Sequence, residues 1–267
     1  MTPIFLGGAP RSGLTLLRAM LDAHSAIACG PDLPLVAGLA RQAAEVERVI
    51  GGNLAANYDL PGETVRGRYR KLIEDLLEPL PARSGKARAA EKTGANLMFF
   101  EALHALFPDA PLIHVVRDGR DVAASLLGRR WTGPNGRPTP ASLDARSGAQ
   151  LWAAMVRTGR AAGERCGGRY FEIHYEDIVR APEEALRHLC RFIGEDWDPA
   201  MLAFHHRPLR LVGSEGESAR ALGSPLSRRF MGRWRRDLVP DMAGAVDALL
   251  APVLAEFGYR GAASRSA

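Results

Sequence analysis

Residues 4–21 read Ile-Phe-Leu-Gly-Gly-Ala-Pro-Arg-Ser-Gly-Leu-Thr-Leu-Leu-Arg-Ala-Met-Leu, and this stretch constrains the fold more than any other. A short apolar run stops at Gly7-Gly8. A turn built on Pro10, Arg11, Ser12 and Gly13 follows, then a long apolar-periodic segment. That is the pattern of a buried strand, a phosphate-cradling loop and a helix. Gly8 to Thr15 has the spacing of a nucleotide-triphosphate P-loop, with Leu14 where the lysine would stand. The cation of the loop is Arg11, inside the turn. Such a loop can grip a phosphate-like group but lacks the usual tool for the β- and γ-phosphates of ATP.

The rest of the chain alternates in the same way. Residues 3–8 read as the first strand and 12–23 as its helix. Residues 34–49 and 63–78 read as helices, split by Gly51-Gly52-Asn53 and Pro61-Gly62. Residues 87–90 form a short strand leading into Glu91-Lys92-Thr93, and 96–106 an amphipathic helix. Leu112 to Val116 is a clear apolar strand, with a helix from Asp121 to Arg129. The Gly/Pro-rich stretch 131–142 reads as a loop, and 144–165 as a long helix with Trp152 on its apolar face. Tyr170 to His174 is another strand, Pro182 to Ile193 a helix, 207–232 a long polar loop, and Asp241 to Phe257 the final helix. Strands alternating with helices predict an α/β fold with a central parallel sheet flanked by helices on both faces. Its 267 residues suffice for one large domain, expected over residues 1–260, with 261–267 as a frayed tail.

Ligands of such sheets sit beyond the carboxyl ends of the strands. Those ends carry Pro10-Arg11-Ser12, Glu91-Lys92-Thr93, Arg117-Asp118-Gly119 and Tyr175-Glu176, so these four clusters are expected on one rim. In the run from Val115 to Ser125 an arginine, Arg117, leaves a strand, and Ser125 follows on the next helix. Both can hold one more phosphate, with Arg129 a helical turn further along. Read alone, the run is equally well a solvated helix start with Asp121 as its N-terminal charge.

The formal charge is +5, and the basic excess is almost all arginine, since Lys71, Lys86 and Lys92 are the only lysines. Arginine suits bidentate anion binding. No aromatic-interleaved basic stripe or nucleic-acid module is present, so nucleic acid is not an expected partner. Cys29, Cys166 and Cys190 are few and widely spaced, with neither metal-ligand spacing nor a disulfide framework, which points to a reducing compartment. No apolar run approaches the ~20 residues of a membrane span. The chain starts almost directly on its first strand, leaving no room there for a signal peptide. The expectation is a soluble, cytoplasmic protein, bacterial in style.

The pairing of Pro10-Arg11-Ser12-Gly13-x-Thr15 with Val116-Arg117-Asp118-Gly119-Arg120-(x)4-Ser125 resembles the sulfotransferases that use 3′-phosphoadenosine-5′-phosphosulfate (PAPS). Arg18 to His24, then Cys29-Gly30, are most similar to the tyrosylprotein sulfotransferase branch and its bacterial relatives. Glu91-Lys92-Thr93-x-x-Asn96, His174-Tyr175-Glu176 and Gly232-Arg233-Trp234 are further matches, and the resemblance covers roughly residues 4–258. It implies a P-loop NTPase-like three-layer fold and in-line sulfuryl transfer without a metal, leaving adenosine 3′,5′-bisphosphate (PAP). It implies that Arg11, Ser12, Gly13, the Leu14 backbone and Thr15 hold the 5′-phosphosulfate. Arg117, Ser125 and Arg129 would hold the 3′-phosphate. Tyr175 and the segment from Ser218 toward Ser227, with Arg233, map to a lid over the nucleotide. Lys92 matches the lysine at the leaving phosphate, and Asp32 occupies the place of the branch's catalytic glutamate. Relatives often dimerise, so a homodimer is open to this chain.

Asp32 also marks a departure. Relatives carry two acidic residues, then a threonine and an arginine, where this chain reads Pro31-Asp32-Leu33-Pro34. The carboxylate is a methylene shorter and the assisting arginine is replaced by Pro34. The acceptor therefore stays open among phenols, alcohols and peptide tyrosines, and the alternative role for Asp32 is to cap the helix starting near Pro34. His104, His188, His205 and His206 receive no role. His24 matches a structural motif, His114 reads as a core histidine, and His174, at a strand end, is a candidate to line the site. The four tryptophans read as packing, with Trp234 kept as a candidate cover for adenine. Two rivals stand beside the sulfotransferase reading. One is a P-loop kinase or NTPase, which Leu14 opposes. The other is a nucleotide-binding protein with a weak acceptor pocket.

Overall fold

A computed structural model describes residues 2–129, 131–132, 136–207 and 222–260. Its centre is a five-stranded sheet, β1 (Ile4–Gly7), β2 (Ile27–Cys29), β3 (Arg88–Lys92), β4 (Leu112–Val116) and β5 (Tyr170–His174). The order is β2-β3-β1-β4-β5, with every pairing parallel. Ile4, Phe5, Leu6, Leu112, Ile113, Val115 and Val116 are fully buried, which is why β1 and β4 read as continuous apolar runs rather than alternations.

Helix α1 (Leu14–Ala23) follows β1, and α2 (Pro34–Tyr58) and α3 (Gly62–Leu77) form an antiparallel pair before α4 (Pro79–Ser84) and β3. Helix α5 (Phe100–Leu106) precedes β4. Helices α6 (Gly119–Leu126), α7 (Pro140–Leu143) and α8 (Ala145–Arg165) lie between β4 and β5. Helices α9 (Tyr175–Arg180), α10 (Pro182–Ile193), α11 (Trp234–Asp237) and α12 (Pro240–Glu256) complete the described α-helices. Successive strand side chains point to opposite faces, and the cores divide accordingly. Ile4, Leu6, Ile113 and Ile173 pack with α1 and α10, whereas Phe5, Leu112 and Ala89 pack with α2, α3, α5 and α8. A further core joins Val116 and α6 to Trp152, Trp234 and α12. No described helix is long and apolar enough to cross a membrane.

Several sequence expectations shift. Strand β2 is absent from the sequence reading, because three residues are too short to show a period. Helix α2 runs through Gly51-Gly52-Asn53 and stops at Asp59 in the left-handed region (φ 51). Neither glycine has a positive φ. Each costs the helix about 1 kcal/mol, less than starting a new nucleus. The expected helix over 96–106 begins as a 3-10 stretch, Gly94–Phe99. Within the expected loop 131–142, Pro140 opens the short α7. The expected tail 261–267 and most of the loop 207–232 lie outside the described residues.

His114 is a core histidine, as expected. Its Nδ1 lies 2.7 Å from the Tyr170 hydroxyl, which donates to Glu172 Oε1 at 2.6 Å, with Arg160 on the same carboxylate. Burial pushes the imidazole down to about 3. His24 is structural: Ala26 N donates to its Nδ1 and its Nε2 meets Asp196 O.

Candidate functional site

The strand ends meet at one cavity of about 610 Å³ on the carboxyl rim of the sheet, roofed by residues 222–233. Parallel pairing makes this convergence unavoidable, and β2 adds a fifth end that delivers Asp32. Arg11, Gly13, Leu14, Thr15, Asp32, Lys92, Arg117, Ser125, Arg129, Tyr175 and Arg233 all line the cavity. Ser12 is fully buried beneath them, and Ser218 falls outside the described residues.

The first loop is built for an anion. Arg11 (φ 67) and Gly13 (φ 98) both take left-handed backbone, which bends the chain sharply into α1. Gly13 is required on two counts, since a Cβ there would lie 2.5 Å from the Tyr175 ring. No side chain caps α1 and no acid stands in its first turn, so its leading N–H groups remain for a ligand. The Ser12 hydroxyl is buried with no hydrogen-bond partner. Gly8 N donates to Gly94 O (3.2 Å), fixing the loop against the segment after β3.

Arg117 ties three parts together. It donates to Arg11 O at 3.0 Å and to Phe230 O, and its guanidinium lies 4.5 Å from the Tyr175 ring centre. Its Nε is buried without a partner. Arg11 Nε in turn donates to Ser125 Oγ at 3.2 Å, and Arg129 Nε to Ser125 O at 3.0 Å. The two anion sites expected from sequence are therefore edge to edge. Arg233 reaches the cavity but pairs with Asp237 at 2.6 Å. Arg229 also lines the wall, a cation that sequence reasoning did not single out.

At the other end, Lys92 Nζ and Asp32 Oδ1 are 2.5 Å apart, with Lys92 buried and Asp32 about one-third exposed. Asp32 is not a helix cap. The N-cap of α2 is Leu33, with no side-chain cap bond. Beside this pair, Glu91 is almost fully buried. Burial pushes its carboxyl up to about 7, against the pull of hydrogen bonds from Asn96, Thr93 and the Leu33 backbone.

Two carboxylates named in the sequence without a role in the frame hold it together. Asp121, fully buried, accepts from Gly232 N (2.7 Å) and Trp234 N (3.0 Å) and faces Arg117 at 3.6 Å. Burial raises its pKa against the Arg117 charge. Glu176 accepts from Asp118 N (3.0 Å) and the Tyr259 hydroxyl (2.8 Å), bracing the end of β4. The sequence signal for both was a carboxylate inside an apolar helix start. Two aromatic expectations change. Trp234 is buried, with its ring against Arg120 and Arg235, and does not line the cavity, whereas Trp131 does. His174, half-buried, pairs its Nδ1 with the Tyr259 hydroxyl at 3.1 Å and lies outside the lining.

Comparison with known proteins matches this geometry. A profile described as the Sulfotransferase family covers residues 3–199. Protein-tyrosine sulfotransferase A of Caenorhabditis elegans is 28% identical over 270 residues, covering 96% of this chain and 67% of that protein. Protein-tyrosine sulfotransferase 1 of Danio rerio is 29% identical over 271 residues, covering 97% and 72%. Among solved structures, the sulfotransferase domain of the Synechococcus PCC 7002 olefin synthase superposes with a TM-score of 0.66 at 23% identity, covering 97% of this chain and 95% of that one. The sulfotransferase domain from the curacin biosynthetic pathway gives 0.62 at 19%, covering 97% and 99%. These two likenesses show the three-layer P-loop fold. The profile match across most of the chain shows the family: this chain belongs to the sulfotransferase family.

Proposed function

We propose that the sulfuryl donor is PAPS and that the acceptor is a phenolic hydroxyl, with peptide tyrosine the first class to test. One observation carries the donor assignment: the first loop and Arg117–Ser125 share a wall of one cavity, with Lys92–Asp32 at its end. The residues fit such a ligand. Arg11, Lys92, Arg117, Arg129, Arg229 and Arg233 face the cavity against the carboxylate of Asp32, a strongly positive balance suited to a polyanion. Ser12 Oγ and Arg117 Nε are buried donors awaiting an acceptor. Leu16, Phe204, Leu222 and Leu226 give part of the wall an apolar character suited to a nucleobase. The tyrosine class rests on the names of the relatives, which are protein-tyrosine sulfotransferases.

When bound, PAPS supplies the sulfuryl group, whose bond to the acceptor oxygen forms as its bond to the phosphate oxygen breaks. In this reading the first loop and the α1 N-terminus hold the 5′-phosphosulfate. Arg117, Ser125 and Arg129 hold the 3′-phosphate, and Tyr175 and Arg233 close over it. Asp32 accepts the proton of the acceptor hydroxyl. A phenol has a pKa near 10, so a positioned base helps at neutral pH. Protonation neutralises Asp32 and releases the Lys92 ammonium from their pair. Lys92 and Arg11 then stabilise charge developing on the leaving phosphate oxygen, an effect worth about 3 kcal/mol per donor in such sites.

The test is calorimetric titration with PAP and with AMP, which lacks the 3′-phosphate. PAP is expected to bind far more tightly than AMP, and Arg117→Ala to remove most of that difference. Equal affinities for the two nucleotides would refute the 3′-phosphate site.

A further inference from the structure

We propose that Glu91, which touches neither donor nor acceptor, is the positioning residue that sets Asp32 for proton removal by clamping the loop of residues 31–33 to the end of β3. The proposal rests on the reading of Asp32 as the base. Pro31 and Pro34 have no backbone N–H, so the segment offers only the N–H groups of Asp32 and Leu33, and that of Leu33 reaches the end of β3. Leu33 N lies 3.0 Å from Thr93 Oγ1 and 3.3 Å from Glu91 Oε1. Thr93 Oγ1 donates to the same carboxylate oxygen at 2.5 Å, and Asn96 Nδ2 donates to Oε2 while also holding Leu6 O at 3.0 Å. Glu91 is thus anchored to β1 and to the 3-10 stretch after β3, and it passes that anchor to Leu33.

Lys92 grips the adjacent loop residue, Asp32, from the next position on the strand. Consecutive strand side chains project to opposite faces, so Glu91 and Lys92 straddle the loop. The loop also lacks the usual helix-start device, since Leu33 makes no side-chain cap bond. Asp32 and the buried Cys29 thiol are the charged or titratable groups acting on Glu91, with Lys92 on the opposite face of the strand and Arg18 behind Cys29 on its backbone oxygen.

Ionised Glu91 accepts from all three donors. A proton on Oε1 reverses the bond to Thr93, whose hydroxyl rotates to accept it, and weakens the Leu33 N–H contact to the same oxygen, so the loop loosens. Its carboxyl is pushed up to about 7, so this change falls in the neutral range. Turnover is therefore expected to fall as pH drops through about 7, separately from protonation of Asp32 itself. Glu91→Gln keeps the shape and fixes the neutral form.

The experiment has two arms. In the first, release of PAP from PAPS is followed against pH with a tyrosyl peptide, and with water alone, for wild type, Glu91→Gln and Asp32→Asn. Glu91→Gln is expected to lower kcat by about 10- to 100-fold, the scale of a small misplacement of a reacting group, and to abolish the limb near pH 7. Its PAP affinity should equal that of wild type. In the second, hydrogen exchange of the segment 30–36 is measured at pH 7. The Leu33 amide is expected to lose protection in Glu91→Ala, and in Glu91→Gln to a smaller extent, with the segment 8–15 unchanged. Unaltered protection at Leu33, or a Glu91→Gln enzyme with wild-type kcat and an intact limb, overturns the proposal. Full activity in Asp32→Asn instead overturns the base assignment, and the exchange arm still reads the clamp.

Discussion

The Asp32 carboxylate and the Lys92 ammonium are held 2.5 Å apart, which couples the base and cation roles proposed for them at the scale of single residues. Asp32→Asn is expected to cut kcat by about 100-fold or more, the ordinary contribution of a general base, while PAP binds as before. Single-turnover kinetics with calorimetry separates the two effects. Arg117 and Ser125 could be placed on the cavity wall from a strand end and a fixed spacing, and Asp32 and Lys92 from the family resemblance; all four line the cavity. What Glu91 and Asp121 hold was not legible, although both residues stood in the motifs. Their work is done through backbone N–H groups of Leu33, Gly232 and Trp234, residues far away in sequence that only the folded sheet brings near. Tryptophan roles were illegible for a similar reason: the side of a turn on which an indole lands depends on packing, which put Trp131 on the cavity and Trp234 in the core.

At the scale of elements, the strands and helices with long apolar runs could be read directly, and the three-residue β2 could not. That strand matters, since it delivers the loop carrying Asp32. Helix α2 shows the opposite error, a strong local breaker overruled by the continuity of the helix. Gly52 sits within it without a positive φ, and a Cβ added there would meet nothing within 4 Å. Gly52→Ala is therefore expected to stabilise the protein by up to about 1 kcal/mol, or roughly 2–4 °C in Tm, measured by thermal unfolding. Gly13→Ala has the reverse expectation. The left-handed backbone and the Tyr175 ring leave no room, so PAP binding should be lost before the fold is.

For the whole molecule, buried titratable groups oppose one another with pH. His114 is depressed to about 3, so the unfolded chain binds its proton first and stability falls as pH drops below about 6.5. Glu91 is raised to about 7 from 4.5, so its contribution is fully present below 4.5 and is lost as pH rises through 7. Between pH 5 and 7 the two trends offset. Glu91→Gln removes one of them, so its unfolding free energy should rise from pH 5 to 7 more than that of wild type, by on the order of 2 kcal/mol. Denaturant titration at both pH values checks the sign.

Sulfuryl transfer from PAPS is proposed at a cavity whose loop lacks the ATP-reading lysine. Its most direct test is incubation with sulfur-labelled PAPS and a panel of tyrosyl peptides, phenols and alcohols, with ATP and magnesium as a parallel arm. PAP release matched by label on an acceptor, abolished in Arg117→Ala, is expected, with no turnover of ATP. Magnesium-dependent ATP hydrolysis without label transfer to any acceptor would contradict it.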